Sequence, residues 1–579
     1  MKKESRLALI GAILVLVAGF VAWLVQTDGG MVAIRDLRFA GPSGTVMSAL
    51  LYVPKGVTAK TPAPGILAVH GYINSRETQD GFAIELARRG YVVLALDQTG
   101  HGYSDPPAFA NGFGGPDGLA YLRSLAIVDK NNIGMEGHSM GGWTILAAAA
   151  TMPDAYKSMV LEGSSTGSGF AAEGTTTWPR NLAVVFSAHD EFAPLMWAVP
   201  RGSDAPKSAK LQKVFGVTDT IELGKVYGDI ALGTARALFQ PNTTHPGDHI
   251  STAGIGYAVD WFGKTLMGGN GLASSNQIWY WKEIMELVCF VGFVLIVLGA
   301  GGMLLGTKTF APLVKGIPEN KSTKGWGLWV GGVIGAAIPV LLFFTFFKIG
   351  ALLVPNSFWP QSITNQIMVW AVLNGVISVI LFLLWHFIIN KKNGARAEHY
   401  GLALGFWDVI KTLVYSALAL GAGALALALA DYFFKIDFRF WVLALKPMSA
   451  LQFRVFLCYA VPFIAFFFTA SLVWNGELRP AGGKAAARYW FAIFTAAGGF
   501  LVFLLCQYIP LLSGGTLLIA TEPLNIIVAI QFLPLMIVAA LNSTWFYEKT
   551  GRIWAGAFVN GLFIAWYVVA GQATQFPIH

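Results

Sequence analysis

Nine long apolar runs constrain this chain more than any motif in it. The first, residues 7–25, is 19 residues long and follows Lys2, Lys3 and Arg6. Eight more lie near 284–306, 325–347, 364–389, 409–433, 453–474, 488–510, 525–546 and 552–571. Each is close to the ~20 residues with which an α-helix crosses a bilayer. A helix satisfies its own backbone polar groups there, so an all-α transmembrane helical bundle is expected. Composition agrees: hydrophobic residues are 55%, charged residues only 12%, and mean hydropathy is +0.57. These values exclude a disordered or purely cytosolic chain. No small-x-small cleavage site follows Trp23, so the first run reads as an uncleaved signal anchor.

Between the first run and the rest lies a polar stretch of ordinary soluble character. The division is therefore an anchor over 1–27, a polar domain over 28–267, a Gly/Ser/Asn-rich linker over 268–282, and a membrane domain over 283–579 with about eight spans. Net charge is −3 in the polar part and +9 in the membrane part. Basic residues cluster in alternate loops, with 15 on the side of Lys2, Lys308, Lys391, Lys484 and Lys549 and 6 on the other. By the positive-inside bias the N-terminus is cytoplasmic, and nine spans place the polar domain and His579 outside the cell membrane. The basic pI of about 9.2 is thus a matter of loop ends and membrane lipids, with no nucleic-acid partner implied. All three cysteines fall in apolar runs, so the polar domain has neither a disulfide framework nor a cysteine metal site.

Within the polar domain, short Val/Leu-rich runs alternate with amphipathic stretches. Gly65–Val69, Tyr91–Leu96, Ile133–Glu136, Ser158–Leu161 and Leu182–Phe186 read as buried strands. Ser75 is expected to cap a helix that runs to Arg89 and stops at Gly90. Such alternation implies a mostly parallel sheet with helices on both faces.

The sharpest chemical signal is Gly137-His138-Ser139-Met140-Gly141, between a strand and a helix-forming run. Glycines on either side of the serine permit a tight strand-to-helix turn that exposes its hydroxyl, and the helix N-terminus offers N–H groups to a developing oxyanion. Val69-His70-Gly71-Tyr72 follows a buried strand where a second donor belongs; the candidate oxyanion donors are the N–H groups of Tyr72 and Met140. Asp97 to Ser104 forms a glycine-rich turn. Ser187-Ala188-His189-Asp190 places a carboxylate just past a strand, and Asn242-Thr-Thr-His245-Pro-Gly-Asp-His249 precedes a closing helix over Ser251–Leu266.

Together these residues resemble the α/β-hydrolase superfamily, over residues 30–266, and most its dienelactone-hydrolase-like and serine-peptidase-like branches. The resemblance implies a Ser–Asp–His triad in that chain order, with Ser139 as nucleophile and Asp190 orienting the base. His245, directly after the expected last strand at Arg236–Gln240, leads as the base, and His249 is the alternative. Glu191 competes with Asp190, which sits closer to the strand. His70, His101, His138, Asp97 and Ser104 read as loop-ordering groups. Neither a metal site nor a cofactor is called for.

Only about 20 residues separate Leu161 from Leu182, too few for a helical cap, so an open site is expected. The function that follows is a membrane-bound serine hydrolase, cleaving a small-molecule or lipid-like ester, thioester or amide through an acyl-enzyme. A peptidase of envelope peptides is the alternative within that class. A transporter or sensor with a non-catalytic, ligand-binding hydrolase-like domain is the alternative outside it.

Overall fold

The computed structural model describes residues 3–480 and 485–576; Lys2, Lys484 and His579, named above, lie outside them. The polar domain is built on one eight-stranded sheet. Its strands are β1 (Val32–Ala40), β2 (Val46–Pro54), β3 (Ala63–Val69), β4 (Val92–Asp97), β5 (Val128–His138), β6 (Ser158–Glu162), β7 (Leu182–Val185) and β8 (Arg236–Phe239), in the order β1-β2-β4-β3-β5-β6-β7-β8. From β4 to β8 every pairing is parallel. Residues 63–69, 92–97, 158–162, 182–185 and 236–239 are buried without interruption, as strands covered on both faces must be. Helices α2 (Asp80–Arg88) and α7 (Thr252–Thr265) cover one face, where Phe82, Trp261 and Phe262 pack on Ile66 and Val93. Helices α3 (Gly115–Ser124) and α4 (Met140–Thr151) cover the other, through Leu119, Leu122 and Ile145.

Two local expectations are corrected. The antiparallel β1–β2 pair, absent from the strand reading, extends the sheet at its edge. Ser75 makes no side-chain cap; its hydroxyl donates to Glu77, and a short 3-10 turn over Arg76–Gln79 precedes α2. The Gly/Ser/Asn-rich linker is tied to α2 and its end, where the Arg89 guanidinium donates to the carbonyls of Leu272, Ala273 and Asn276. Two short helices, α5 (Ala193–Trp197) and α6 (Ala209–Phe215), occupy the excursion before β8.

The apolar runs form helices α1 (Lys3–Gln26), α8 (Trp279–Leu305), α9 (Trp326–Leu341), α10 (Phe343–Ala351), α11 (Ser362–Ile388), α12 (Phe406–Phe434), α13 (Ala450–Ser471), α14 (Ala485–Leu512), α15 (Pro523–Thr550) and α16 (Trp554–Gly571). Among the described residues, eight are long and apolar enough to cross a membrane, or nine spans if α9 and α10 count as one. That run, expected to be continuous, is bent by 42° at Leu342. A small hairpin, β9 (Phe438–Phe440) and β10 (Leu443–Leu445), lies between α12 and α13.

The two halves meet along a seam rich in buried charge. Arg439 of β9 is paired with Asp437 and reaches Glu77 at 3.6 Å; Lys446 meets the same carboxylate at 3.1 Å. Asp36, held by Arg76 at 2.7 Å, meets Lys435 across the seam at 3.4 Å. Burying such ions is tolerable only when each is paired. The segment after α16 adds a strap: the Ala108 N–H donates to the Thr574 carbonyl, and the Thr574 N–H to the Gly100 carbonyl.

Candidate active site

The turn at the end of β5 is as tight as its glycines suggest. Ser139 adopts φ 53° and ψ −121°, a left-handed conformation that a side chain occupies only under constraint. Its N–H donates to the Glu162 carbonyl at 2.8 Å, and its own carbonyl accepts from the Ser164 hydroxyl at 2.7 Å. A Cβ on Gly141 would lie 2.1 Å from the Val69 carbonyl oxygen, and one on Gly137 would lie 2.4 Å from the Gly141 carbonyl oxygen. Both positions therefore require glycine.

Strands β7 and β8 deliver the other two groups to the same end of the sheet. Asp190, five residues past β7, is held by the Phe192 N–H on one carboxylate oxygen at 2.7 Å. Its other oxygen meets His245 Nδ1 at 2.8 Å, with both side chains buried. Nε2 of His245 is thus the ring atom left for a proton. Burial pushes the His245 imidazole down to about 4, so the ring is neutral near pH 7. His249 also lines the cavity, but among the described residues neither of its ring nitrogens has a hydrogen-bond partner and no carboxylate orients it. Its ring instead lies 4.0 Å from that of His138.

Glu191 takes a different part from the one weighed above. One carboxylate oxygen accepts the His245 backbone N–H at 2.7 Å, and the other accepts the Tyr508 hydroxyl of α14 at 2.9 Å. Burial, with Asp190 alongside, pushes its carboxyl up to about 8. Asp97, Ser104 and His70 order the loops as expected: Asp97 accepts the N–H groups of Arg76 and Tyr103 at 2.8 and 3.0 Å.

Ser139, Met140, Tyr72, His245 and His249 all line one cavity of about 390 Å3. Neither the Tyr72 nor the Met140 N–H is spoken for by another group among the described residues. The cavity is open at Phe109, Phe170 and Leu195, as the missing cap suggests, but its other side is covered. The helical bundle covers the cavity through Trp441, Val442, Leu524, Ile527 and Gln531. The bundle also holds the loops around the cavity: Trp441 Nε1 donates to the Pro246 carbonyl at 2.8 Å, and the Gln575 amide donates to the Tyr72 hydroxyl at 2.9 Å. Sequence reading missed Trp441, Val442, Leu524, Ile527, Gln531 and Gln575. The absence of a cap was the one available sign that something else must cover the site.

Among the described residues, His138, His245 and Asp248 form a group whose ligating atoms lie within 4.8 Å of one another. His138 Nε2 lies 3.0 Å from the His245 carbonyl, and His245 Nδ1 holds Asp190. A cation there would have to displace both hydrogen bonds.

Sheet order, the glycine-flanked turn and the placement of the Asp–His pair give the polar domain the α/β-hydrolase fold. Residues 64–222 match the model of the α/β hydrolase fold family, which supports a hydrolase. An uncharacterised protein of Mycobacterium tuberculosis is 28% identical over 180 residues, covering 29% of this chain and 44% of that one. The 2-(acetamidomethylene)succinate hydrolase of Mesorhizobium japonicum is 33% identical over 107 residues, 18% of this chain and 37% of that one. The chain thus spans less than half the length of the curated relatives it matches. Among solved structures, an esterase of Pyrococcus furiosus is 17% identical and aligns with a TM-score of 0.31, covering 42% of this chain and 96% of that one.

Proposed function

We propose that this protein is a multi-pass membrane serine hydrolase of carboxylic esters, with its hydrolase domain on the outer face of the cell membrane. The observation that carries the reading is the 2.8 Å Asp190–His245 pair in the cavity wall beside Ser139, on its strained turn. Ser139 Oγ attacks the ester carbonyl carbon while His245 Nε2 takes the hydroxyl proton; a serine hydroxyl without such a base is a poor nucleophile. The Tyr72 and Met140 N–H groups stabilise the oxyanion of the tetrahedral intermediate. On its collapse the C–O bond to the alcohol breaks, and His245 returns the proton to that alcohol. Water then attacks acyl–Ser139 by the same proton route in reverse, releasing the acid and restoring the serine. Asp190 holds the ring in the tautomer that leaves Nε2 unprotonated. The orientation follows from the alternate basic loops.

A fluorophosphonate probe tests this directly on the full chain. Wild type is expected to label covalently, and Ser139→Ala and His245→Gln to lose labelling while His249→Gln keeps it. Absence of labelling in wild-type protein with an intact thermal transition would overturn the hydrolase and favour the ligand-binding alternative.

A further inference from the structure

The cavity beside Ser139 has an uneven construction. Ser139, His138, His245 and His249 stand together in its wall. The rest is mainly apolar, although Asn74, Thr78 and Gln531 also line it, and no Asp, Glu, Lys or Arg does among the described residues. Nothing there would neutralise a charged acyl group or a charged peptide side chain, whose desolvation would go uncompensated.

One apolar wall belongs to α15. Leu524, Ile527 and Gln531 stand at i, i+3 and i+7, on a single face of that helix. The helix rises 1.5 Å per residue, so the seven-residue step from Leu524 to Gln531 carries this wall about 10 Å down into the bundle. Trp441 and Val442 of the β9–β10 turn flank it. Gln531 marks the floor, where its side-chain carbonyl accepts the Tyr567 hydroxyl at 2.8 Å. Beyond it lies a second, smaller apolar void, of which Gln531 is also a wall, lined by Trp370, Phe466, Phe532 and Met536. At the opposite end the rim is apolar and open: Phe170 is 84% exposed, Leu195 52% and Phe109 40%. Exposed apolar residues grouped at a cavity mouth are a mark of an apolar ligand.

We propose that the bundle supplies the acyl-binding wall of this enzyme, and that its substrate is a long-chain acyl ester whose tail lies along α15 from Ser139 to Gln531. This rests on the reading of Ser139 as nucleophile. A long unbranched chain fills a slot of this shape without asking for any polar partner. A short acyl group would leave the Leu524 and Ile527 wall uncovered. The same acyl chemistry is offered by a membrane lipid and by an acylated protein.

The test uses full-length protein in lipid nanodiscs and a series of acetyl, octanoyl and palmitoyl esters of one chromogenic alcohol. Each methylene seated on the wall is worth about fourfold in kcat/KM, so wild type is expected to favour the longer chains steeply. Ile527→Trp, which fills the slot halfway down, is expected to lower the palmitoyl-to-acetyl ratio by about tenfold or more. A parallel ratio, labelling by hexadecyl against ethyl fluorophosphonate, is independent of the fraction of variant that folds and is expected to fall likewise. Acetyl preference in wild type, or ratios unmoved by Ile527→Trp, would overturn the acyl wall while Ser139-dependent turnover left the hydrolase reading standing. Loss of all Ser139-dependent turnover and labelling in wild type would overturn the hydrolase reading first. Fatty-acid release from vesicle phospholipid or from a palmitoylated peptide supports the proposal and identifies the source; release from neither overturns it.

Discussion

Tyr508 offers a test of whether the bundle takes part in the chemistry. Its hydroxyl is 2.9 Å from one oxygen of Glu191, whose other oxygen holds the His245 backbone N–H at 2.7 Å. Tyr508→Phe deletes the first bond and leaves the packing of the ring in place. The stranded Glu191 carboxyl oxygen is buried, and such a loss costs about 1–3 kcal/mol. If about 2 kcal/mol of that is expressed as misplacement of the His245 ring, kcat falls about 30-fold, since 1.36 kcal/mol is tenfold. KM should change little, because Tyr508 does not line the cavity. Steady-state kinetics on a soluble acetyl ester, with Tyr508→Phe, Glu191→Gln and the double variant, measures the coupling. In the Glu191→Gln background the tyrosine should matter much less. A loss confined to KM, a change in kcat under twofold, or equal costs in both backgrounds would refute the relay from α14 to His245.

Other outcomes follow from the same geometry. Burial holds the His245 ring near 4 and the base must be neutral to act, so the acid limb of kcat/KM should centre near 4; a limb at the ordinary imidazole value of about 6.5 would contradict it. Glu191 is held up at about 8 against 4.5, so its contribution to stability is present below about 4.5 and is lost as pH rises through 8. Thermal melts across that window should show the slope, and Glu191→Gln should flatten it. Gly141→Ala would drive a methyl group against the Val69 carbonyl. It should destabilise the protein by about 3 kcal/mol or more, read as a lowered melting temperature.

Much of this architecture is written in local pattern. The elbow at Ser139, the carboxylate after β7 and the histidine after β8 could be read because each sits at a strand end, where short-range sequence decides the turn. The long apolar helices were legible for the same reason, since each is one apolar stretch; the bend at Leu342, three residues past Pro339 of α9, was not, because a proline in an apolar run marks a kink only once the packing is known. The β1–β2 pair was missed because its first strand is half exposed and carries Arg35, Asp36 and Arg38, which blur the alternation. The site wall was illegible in a deeper sense. Trp441, Ile527 and Gln531 lie three to four hundred residues beyond Ser139, and only the packing of the two halves brings them together. The buried Arg439–Asp437–Glu77 group was unreadable likewise, since a charge next to an apolar run looks interfacial until its partner is known.

The contact between α1 and α8 bears on how such a molecule is made. Gly11 lies so close to the other helix that a methyl group on it would be 2.6 Å from the Gly292 carbonyl, and Gly299 is equally tight against the Ala8 backbone. The two helices flanking the hydrolase domain are therefore neighbours, and the domain is a loop inserted between paired spans. During synthesis the first helix must wait some 250 residues for its mate. In that interval the hydrolase-fold domain is free to collapse on its own, while the helices that will roof its cavity have yet to leave the ribosome.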